Sequence, residues 1–299
     1  MLRPQRFAHE VDPGPVQIQA RNVAFETAGK PKDWIPGHPV SSHLVNLLNI
    51  MLPAGERWFV EVFNEALPLI KDPKLAEDVR GFIGQEAMHA EAHDTVMHEY
   101  MIASGVDVAP LLDQIEFVFE KVLAPSKTTN PRRKMNHLIE RLWLIAAIEH
   151  FTAVLGDFVL NCSWDDYDAD PTLVDLYRWH GAEEVEHRSV AHDVATYFRD
   201  SYLTRVRAMA VAGTGLYVLF QRGMRFLVKS DPQLQLSWWR IQRLRMQDSK
   251  LGLLPEYWNL LFVQTLAYFK PSYTPEDMGS TAQAVAYLAN SPAARAAHH

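Results

Sequence analysis

Two glutamate and histidine pairs with the same spacing lie about a hundred residues apart in this chain. Glu86 precedes His89 by three residues, and Glu184 precedes His187 by three residues. Residues three apart on an α-helix lie on the same face, so each pair can direct a carboxylate and an imidazole toward one point. Oxygen and nitrogen donors of this kind bind divalent metal ions. Each pair therefore predicts half of a metal site.

Each pair is preceded by a glutamate that can complete the site. Glu56 lies 30 residues before Glu86, and Glu149 lies 35 residues before Glu184. If one turn separates Glu56 from Glu86 and another separates Glu149 from Glu184, a rise of about 1.5 Å per residue brings the two carboxylates of each hairpin to nearly the same height. The spacing thus predicts two similar helical hairpins that contribute matching ligands.

The ligand on the first helix is the least determined of the set. Glu61 and Glu65 follow Glu56 by five and nine residues, and either could be the inward carboxylate. The heights of the residues along the predicted helices favour Glu56.

Three further ionisable residues share the inner faces of these helices. His93 lies seven residues after Glu86, and His180 lies four residues before Glu184. Each could be an extra ligand, a hydrogen-bond partner of a ligand, or a histidine satisfied within the core. Glu183 lies four residues before His187 on the same predicted helix, so it could replace Glu184 or support it.

Combined in chain order, these residues read Glu, Glu-x-x-His, Glu, Glu-x-x-His, which is the inward ligand set of two-metal carboxylate bundles. The sequence therefore predicts an all-α, ferritin-like four-helix bundle with a two-metal site. The predicted metal ligands are Glu56, Glu86, His89, Glu149, Glu184 and His187.

Hydrophobic periodicity and helix breakers indicate the elements that must position these residues. Pro53 is expected to restart or kink the path just before Glu56. The four predicted bundle helices span about 54–70, 74–104, 132–162 and 171–200. Turns are predicted between the first two and between the last two of these helices, and a long crossover joins the hairpins.

The chain divides into three predicted regions. Residues 1–40 carry six prolines and no helical period, so an extended N-terminal arm is expected; residues 41–200 form the bundle; residues 201–299 add C-terminal helices that pack on it and a turn-rich tail. The apolar helix 203–228 has an uninterrupted apolar part of 13 residues, too short to span a bilayer. A core or interface helix is favoured there, and contact with a membrane surface is the alternative.

The composition excludes several functional classes. A net charge of −7 without blocks of like charge argues against nucleic-acid binding. Cys162 is the only cysteine, which excludes disulfides within the chain and thiolate metal sites. Because no secretory apolar segment opens the sequence, a cytoplasmic protein is expected.

Several sequence blocks resemble a known family. These are PAGERWF, FIGQEAMHAEAH, AIEHF, WHGAEEVEH and YFKPSYTPED. They are similar to bacterial proteins described as predicted metal-dependent hydrolases, which are grouped with the ferritin-like superfamily. The resemblance covers roughly residues 30–280 and implies a metal-dependent enzyme.

Four carboxylates and two imidazoles form a hard, mixed oxygen and nitrogen site, which suits iron or manganese better than structural zinc. The first functional hypothesis is therefore a di-iron, or mixed manganese and iron, oxidase or oxygenase that uses O₂ on a small apolar molecule. An electron-donor protein would then be a partner, and a homodimer is compatible with the sequence. The alternative is a two-metal hydrolase of esters, amides or phosphoesters. Metal storage ranks last because no cage-forming symmetry is evident.

Overall fold

The computed structural model describes residues 16–297, which are predominantly helical and contain no β-strand. We number the α-helices in chain order. They are α1 Pro39–Asn46, α2 Leu48–Ala66, α3 Pro73–Val96, α4 Ala109–Phe117, α5 Pro131–Asn161, α6 Pro171–His187, α7 Val190–Phe198, α8 Tyr202–Ser230, α9 Trp238–Lys250, α10 Thr265–Tyr268, α11 Thr281–Leu288 and α12 Pro292–Ala296. Wider π-helical turns extend α3 and α4 and precede α10.

Two helical hairpins form the centre of the described residues. Helix α2 packs along α3, and α5 packs along α6. Contacts of α2 with α5 and of α3 with α6 join the hairpins. The all-α prediction is confirmed, and the four helices that carry the predicted ligands lie together.

The starts of the long helices follow from local sequence. Asp72, Asn130 and Asp170 each accept a backbone N–H bond in the first turn of α3, α5 or α6, and a proline follows each of them. A capping carboxylate or amide and a proline at the first helical position are the usual start of a helix. These boundaries agree with the predicted ones to within a residue or two.

A pair of glycines sets the spacing between α5 and α6. A Cβ atom placed on Gly156 would lie 2.4 Å from the carbonyl oxygen of Gly181, and one placed on Gly181 would lie 2.9 Å from the Cα of Gly156. Real side chains do not tolerate such contacts, so only glycine lets the two backbones approach this closely. The contact lies beside Glu184, whose Cβ is 3.2 Å from the same Gly156 position.

Two predicted helix boundaries differ from the structure. Helix α2 begins at Leu48 and continues through Pro53, because the buried neighbours Ile50 and Met51 keep the segment packed despite the lost backbone hydrogen bond. The predicted fourth helix is broken after His187. There the Arg188 guanidinium donates to the carbonyl oxygens of Val185 and Pro275, and these contacts compete with a continuous helix.

The predicted arm is extended in its described part. Residues 16–38 contain no helix, whereas the helix α1 already begins at Pro39. The arm lies against α3 at Gly81, where a Cβ would come within 2.4 Å of the Ile18 carbonyl oxygen. Residues 1–15 lie outside the described residues.

The C-terminal region packs on the central helices. Helix α8 contacts α5 and α1, and α11 and α12 contact α6. Asp175 of α6 accepts hydrogen bonds from the Tyr287 hydroxyl, at 2.7 Å, and from the Ala293 backbone N–H, at 3.0 Å. The region predicted as a turn-rich tail therefore includes two short helices that are tied to α6. The division of the chain at residues 40 and 200 stays a prediction.

Two helices of the described chain, α5 and α8, are long and apolar enough to cross a membrane by length and composition alone. The apolar stretch of α5 is 61% buried inside the protein, which explains its hydrophobicity as core packing. The corresponding stretch of α8 is only 22% buried. The composition of α8 therefore needs another explanation.

Candidate metal centre

The structure brings the six predicted ligands together and adds a seventh residue. One group comprises Glu86, Glu149, Glu184 and His187, and a second comprises Glu56, His89 and His180. Within each group the ligand-type atoms lie within 4.8 Å of one another, and all seven residues are buried. The side chains come from α2, α3, α5 and α6. The matched spacing of the two halves thus produces one shared interior cluster.

Short distances connect the two groups. The Nε2 atom of His187 lies 3.2 Å from Glu86 Oε1, 3.2 Å from Glu149 Oε2 and 3.4 Å from Glu184 Oε2. The Nδ1 atom of His89 lies 3.4 Å from Glu184 Oε1 and 3.8 Å from Glu86 Oε1. Glu184 therefore stands between the two imidazoles, at the middle of the cluster.

The donor atoms that face the centre of this cluster lack hydrogen-bond partners. A buried polar atom without a partner costs free energy, about 1–3 kcal/mol and more for a charged group, so folded proteins rarely keep several in one place. The buried atoms without partners include both Oε atoms of Glu56, Oε1 of Glu86, Nδ1 of His89, Oε2 of Glu149, Oε2 of Glu184 and Nε2 of His187. Every predicted ligand contributes at least one. Divalent ions would satisfy this donor set, so the residues present fit a metal centre.

The outward nitrogen of His187 is fixed by an amide. His187 Nδ1 lies 2.9 Å from Gln85 Oε1, and the amide nitrogen of Gln85 donates to Glu186 Oε2 at 2.6 Å. Because the Glu186 carboxylate accepts from the NH₂ group of Gln85, the side-chain oxygen of Gln85 is left to accept from His187 Nδ1–H. The Nε2 atom of His187 then points to the carboxylates, where its lone pair can hold a metal ion or, without metal, a proton.

The outward nitrogen of His89 is fixed by a carboxylate. His89 Nε2 donates to Glu183 Oε2 at 2.9 Å. The other oxygen of Glu183 accepts from the guanidinium of Arg21 at 2.6 Å and from Trp179 Nε1 at 3.2 Å. This arrangement, a carboxylate that orients an imidazole whose other nitrogen faces a metal position, is common in metalloproteins.

The two halves of the site support each other crosswise. Gln85 directly precedes Glu86 but orients His187, which lies on the other hairpin. Glu183 directly precedes Glu184 but orients His89. Glu183 was among the residues considered from sequence, whereas the roles of Gln85, Glu186 and Arg21 were missed. The role of Gln85 could have been inferred from the sequence, because Gln85 and Glu183 occupy equivalent positions, one residue before Glu86 and Glu184.

His93 and His180 form a hydrogen-bonded pair. Nδ1 of His180 lies 2.7 Å from Nε2 of His93, and Nδ1 of His93 lies 2.7 Å from Asn49 Oδ1. The rings of His180 and His89 are stacked at 4.1 Å. His93 therefore contacts a neighbour of the cluster, and His180 lies in the cluster itself.

A chain of buried hydrogen bonds fixes the direction of this pair. The chain ends at the carbonyl oxygen of Pro31, which can only accept, and receives the hydroxyl of Tyr100 at 2.7 Å. Read inward from there, each group accepts from the next: Tyr100 from Asn46 at 3.4 Å, Asn46 from Tyr177 at 3.2 Å, and Tyr177 from Asn49 at 2.8 Å.

The direction of this chain determines which nitrogen of His180 is free. The Asn49 carbonyl oxygen must accept from His93 Nδ1–H, so His93 Nε2 accepts from His180 Nδ1–H. The Nε2 lone pair of His180 is then left to face the carboxylates, 2.8 Å from Glu184 Oε1 and 3.7 Å from Glu56 Oε1. His180 thus presents a third imidazole donor to the cluster.

Burial changes the protonation of the carboxylates. Burial and repulsion from neighbouring carboxylates raise the pKa of Glu56 and Glu86 well above the usual range, and burial together with Glu184 raises the pKa of Glu149 to about 7. Burial also acts to raise the pKa of Glu184, but the surrounding imidazoles, His187 foremost, outweigh it and hold this pKa well below the usual range.

The histidines divide into two kinds. Burial acts to lower the pKa of His89 and His187, but the neighbouring carboxylates outweigh it and raise both pKa values well above the usual range. Burial lowers the pKa of His180 to about 4 and that of His93 well below the usual range. Without metal, protons on His89 and His187 therefore balance part of the negative charge that divalent ions would balance.

The alternative carboxylates on α2 lie elsewhere. Glu61 is exposed, and Glu65 is exposed and paired with the buried guanidinium of Arg141. Of the aromatic residues near the predicted ligands, Phe82 packs edge-on against His187 at 4.8 Å and Trp179 against His89 at 5.1 Å. Others, namely Trp58, Phe59, Trp143 and Phe151, are part of an apolar core cluster.

The Glu183→Gln variant tests the role of the carboxylate behind His89. The amide keeps the size of the side chain but cannot accept at both ends. Its oxygen would accept from Arg21 and Trp179, so its NH₂ group would face His89 Nε2 and favour the wrong tautomer, with the proton on Nδ1. We expect metal affinity to fall about 10- to 100-fold while the fold is retained. Calorimetric titration of the metal-free protein with Mn²⁺ or Zn²⁺ measures the change.

Glu77→Gln provides the matched control. Glu77 lies on the exposed side of α3 and accepts from Gln17 of the arm at 3.1 Å. If Glu183→Gln bound metal as tightly as this control, Glu183 would have no part in orienting His89.

Comparison with known proteins is consistent with a metal site. The sequence profile of the family described as "Predicted metal-dependent hydrolase" matches residues 19–279. No curated protein and no solved structure matches the chain. Because the matched segment covers most of the 299 residues and contains all seven clustered residues, the chain belongs to the family of predicted metal-dependent hydrolases.

Proposed function

We propose that the central helices form a ferritin-like four-helix bundle whose buried cluster holds two metal ions. The observation that carries this proposal is the set of inward donor atoms without hydrogen-bond partners, contributed by all six residues predicted from spacing. Four carboxylates would balance the charge of two divalent ions. The predicted ligands are retained in this proposal, and His180 is added to them.

The two groups of donors suggest how the ions are shared. Glu86, Glu149, Glu184 and His187 are suited to one ion, and Glu56, His89 and His180 to the other, with Glu184 able to contact both. His93, Gln85 and Glu183 would not bind metal but would orient the three imidazoles.

The reaction that we propose is metal-dependent hydrolysis, in agreement with the description of the family. Divalent ions bound here would lower the pKa of a water molecule and polarise the bond to be cleaved. The protein would fix the ligand geometry through Gln85 and Glu183 and limit the access of bulk water by burial. The sequence ranked this reaction second, and the family description favours it over the oxidase.

A neutral ester or amide fits the surroundings better than a phosphoester. The buried arginines of the described residues are both engaged: Arg141 pairs with Glu65, and Arg205 donates to the Lys270 carbonyl oxygen at 2.6 Å. The site histidines pack against the aromatic rings of Phe82 and Trp179. An uncharged substrate with an apolar part matches such a site.

O₂-dependent oxidation of an apolar molecule is the second candidate. It is supported by the donor set itself, since four carboxylates with two or three imidazoles suit iron and manganese better than zinc. This reaction would need a source of electrons, which an electron-donor protein would supply.

The metal requirement distinguishes the two reactions. We expect protein loaded with redox-inert Zn²⁺ or Mg²⁺ to hydrolyse a neutral aryl ester at least about tenfold faster than its metal-free form. Elemental analysis of the purified protein would give the metal per chain. Hydrolysis absent from every metal form, together with O₂ uptake by the reduced iron form, would favour the oxidase.

A further inference from the structure

One face of α8 is apolar and uncovered. The exposed residues Leu203, Val211 and Val218 follow one stripe of the helix, and Leu203 is 74% exposed. The opposite face, which includes Met209 and Met224, is fully buried. The helix therefore lies on the protein with its inner face packed and its outer face free.

A second apolar segment lies beside this stripe. Residues 257–269 run along α8 in the opposite direction, because Tyr257 packs near Tyr217 at a ring distance of 6.2 Å and the Tyr202 hydroxyl donates to the Phe269 carbonyl oxygen at 2.8 Å. This segment exposes Trp258, Phe262, Val263 and Leu266, with Trp258 at 66% and Leu266 at 61%.

These two neighbouring segments define what we call the apolar face. It consists of Leu203, Val211, Val218, Trp258, Phe262, Val263 and Leu266. The rings of Trp258 and Phe262 stack at 4.7 Å, so they form one aromatic edge. Soluble surfaces rarely leave a contiguous group of this kind without a partner.

The segment that carries the apolar face is basic although the chain is acidic. Residues 202–270 contain ten Lys and Arg against three Asp and Glu, whereas the whole chain has a net charge of −7. Arg222, Arg225 and Lys229 are exposed and continue the outer stripe of α8 toward its C-terminal end. The partner of this face should therefore be negatively charged.

We propose that the apolar face and the basic end of α8 bind the surface of an anionic lipid bilayer. Tryptophan, phenylalanine and leucine would enter the boundary between headgroups and acyl chains, and the basic residues would contact lipid phosphates. Because its inner face is packed against α5 and α1, α8 lies on the bilayer and does not cross it. A second copy of the chain fits less well, since it would place the same positive charge against itself.

Vesicle binding by the complete protein tests this proposal. We expect the protein to sediment with vesicles that contain about one-third phosphatidylserine and much less with pure phosphatidylcholine vesicles. Brominated lipids should quench the fluorescence of the wild type more than that of Trp258→Phe, which places this residue in the bilayer.

Two double variants separate the two contributions. Arg225→Gln with Lys229→Gln should weaken binding to anionic vesicles about 25-fold, since each basic residue near the surface contributes about fivefold. Phe262→Ser with Leu266→Ser should weaken it at least about tenfold, because two large apolar side chains no longer leave water.

Matched controls lie elsewhere on the surface. Arg132→Gln with Arg133→Gln removes two exposed charges at the start of α5, and Leu69→Ser with Ile102→Ser removes two exposed apolar side chains. Both controls should bind vesicles as the wild type does. Equal binding by all variants, or no binding to anionic vesicles, would overturn the proposal. So would a dimer in solution that Phe262→Ser with Leu266→Ser converts to monomer, because a second copy would then cover the face.

Discussion

Replacing Glu184 by alanine is expected to remove nearly all bound metal. This carboxylate lies within 3.4 Å of a nitrogen of His89, His180 and His187, so its loss takes away the donor that both groups share. We expect metal affinity to fall at least about 100-fold, beyond the loss expected for a residue that only orients a ligand. Elemental analysis after equilibration with metal measures the result.

Glu184→Gln and Glu61→Ala keep this test interpretable. The glutamine variant preserves the volume of the side chain and should lose metal in the same way, so an effect of a cavity can be separated from an effect of the missing carboxylate. Glu61 is exposed on α2, and its alanine variant should keep its metal. Wild-type metal content in both Glu184 variants, with a normal circular dichroism spectrum, would show that the cluster is not a metal centre.

The metal-free protein is expected to lose stability as the pH rises from about 6.5 to about 8. The pKa values of Glu56, Glu86, His89 and His187 are raised well above their usual values, and that of Glu149 is raised to about 7. The folded state therefore binds more protons than the unfolded chain in this range. Each extra proton lowers the free energy of unfolding by about 1.4 kcal/mol per pH unit.

The pH window is set by the groups of the cluster whose pKa is lowered in the folded protein. The pKa of His180 is lowered to about 4 and that of His93 is lowered well below its usual value, so these two act in the opposite direction below about 6.5. Glu184, whose pKa is lowered, contributes stability that is lost only when the pH falls below its usual carboxyl range. Above about 6.5 the proton-binding groups act alone.

Thermal unfolding of chelated and metal-loaded protein at several pH values measures this effect. Divalent ions replace the protons, so the loaded protein should be more stable and should not lose stability across the window. Glu149→Gln removes one group with a raised pKa, so its metal-free form should be more stable than the metal-free wild type at pH about 8. A melting temperature of the metal-free protein that stays constant or rises with pH would contradict the prediction.

The parts of the centre that depend on local spacing could be predicted from the sequence. Glu86 and His89 are three apart on one helix, so their common direction is a property of the helix alone. The starts of α3, α5 and α6 were equally predictable because Asp72, Asn130 and Asp170 cap the turn that immediately follows them.

The parts that depend on contacts between distant segments could not be predicted. The break after His187 arises where Arg188 reaches the Pro275 carbonyl oxygen, which is far away in sequence. The ranking of the two candidate reactions also changed after comparison with known proteins. The types of donor atom alone favoured the oxidase, whereas the family description favours hydrolysis.

The sequence by itself determined the helical class, the two hairpins and the six inward donors, because helical periodicity and capping act over a few residues. Only the tertiary structure decided that Gln85 and Glu183 hold the histidines crosswise and that His180 directs its Nε2 atom toward the carboxylates. It also decided which face of α8 stays uncovered. The physical reason is that hydrogen-bond partners and burial are set by the packing of one helix on another, which no single stretch of the sequence contains.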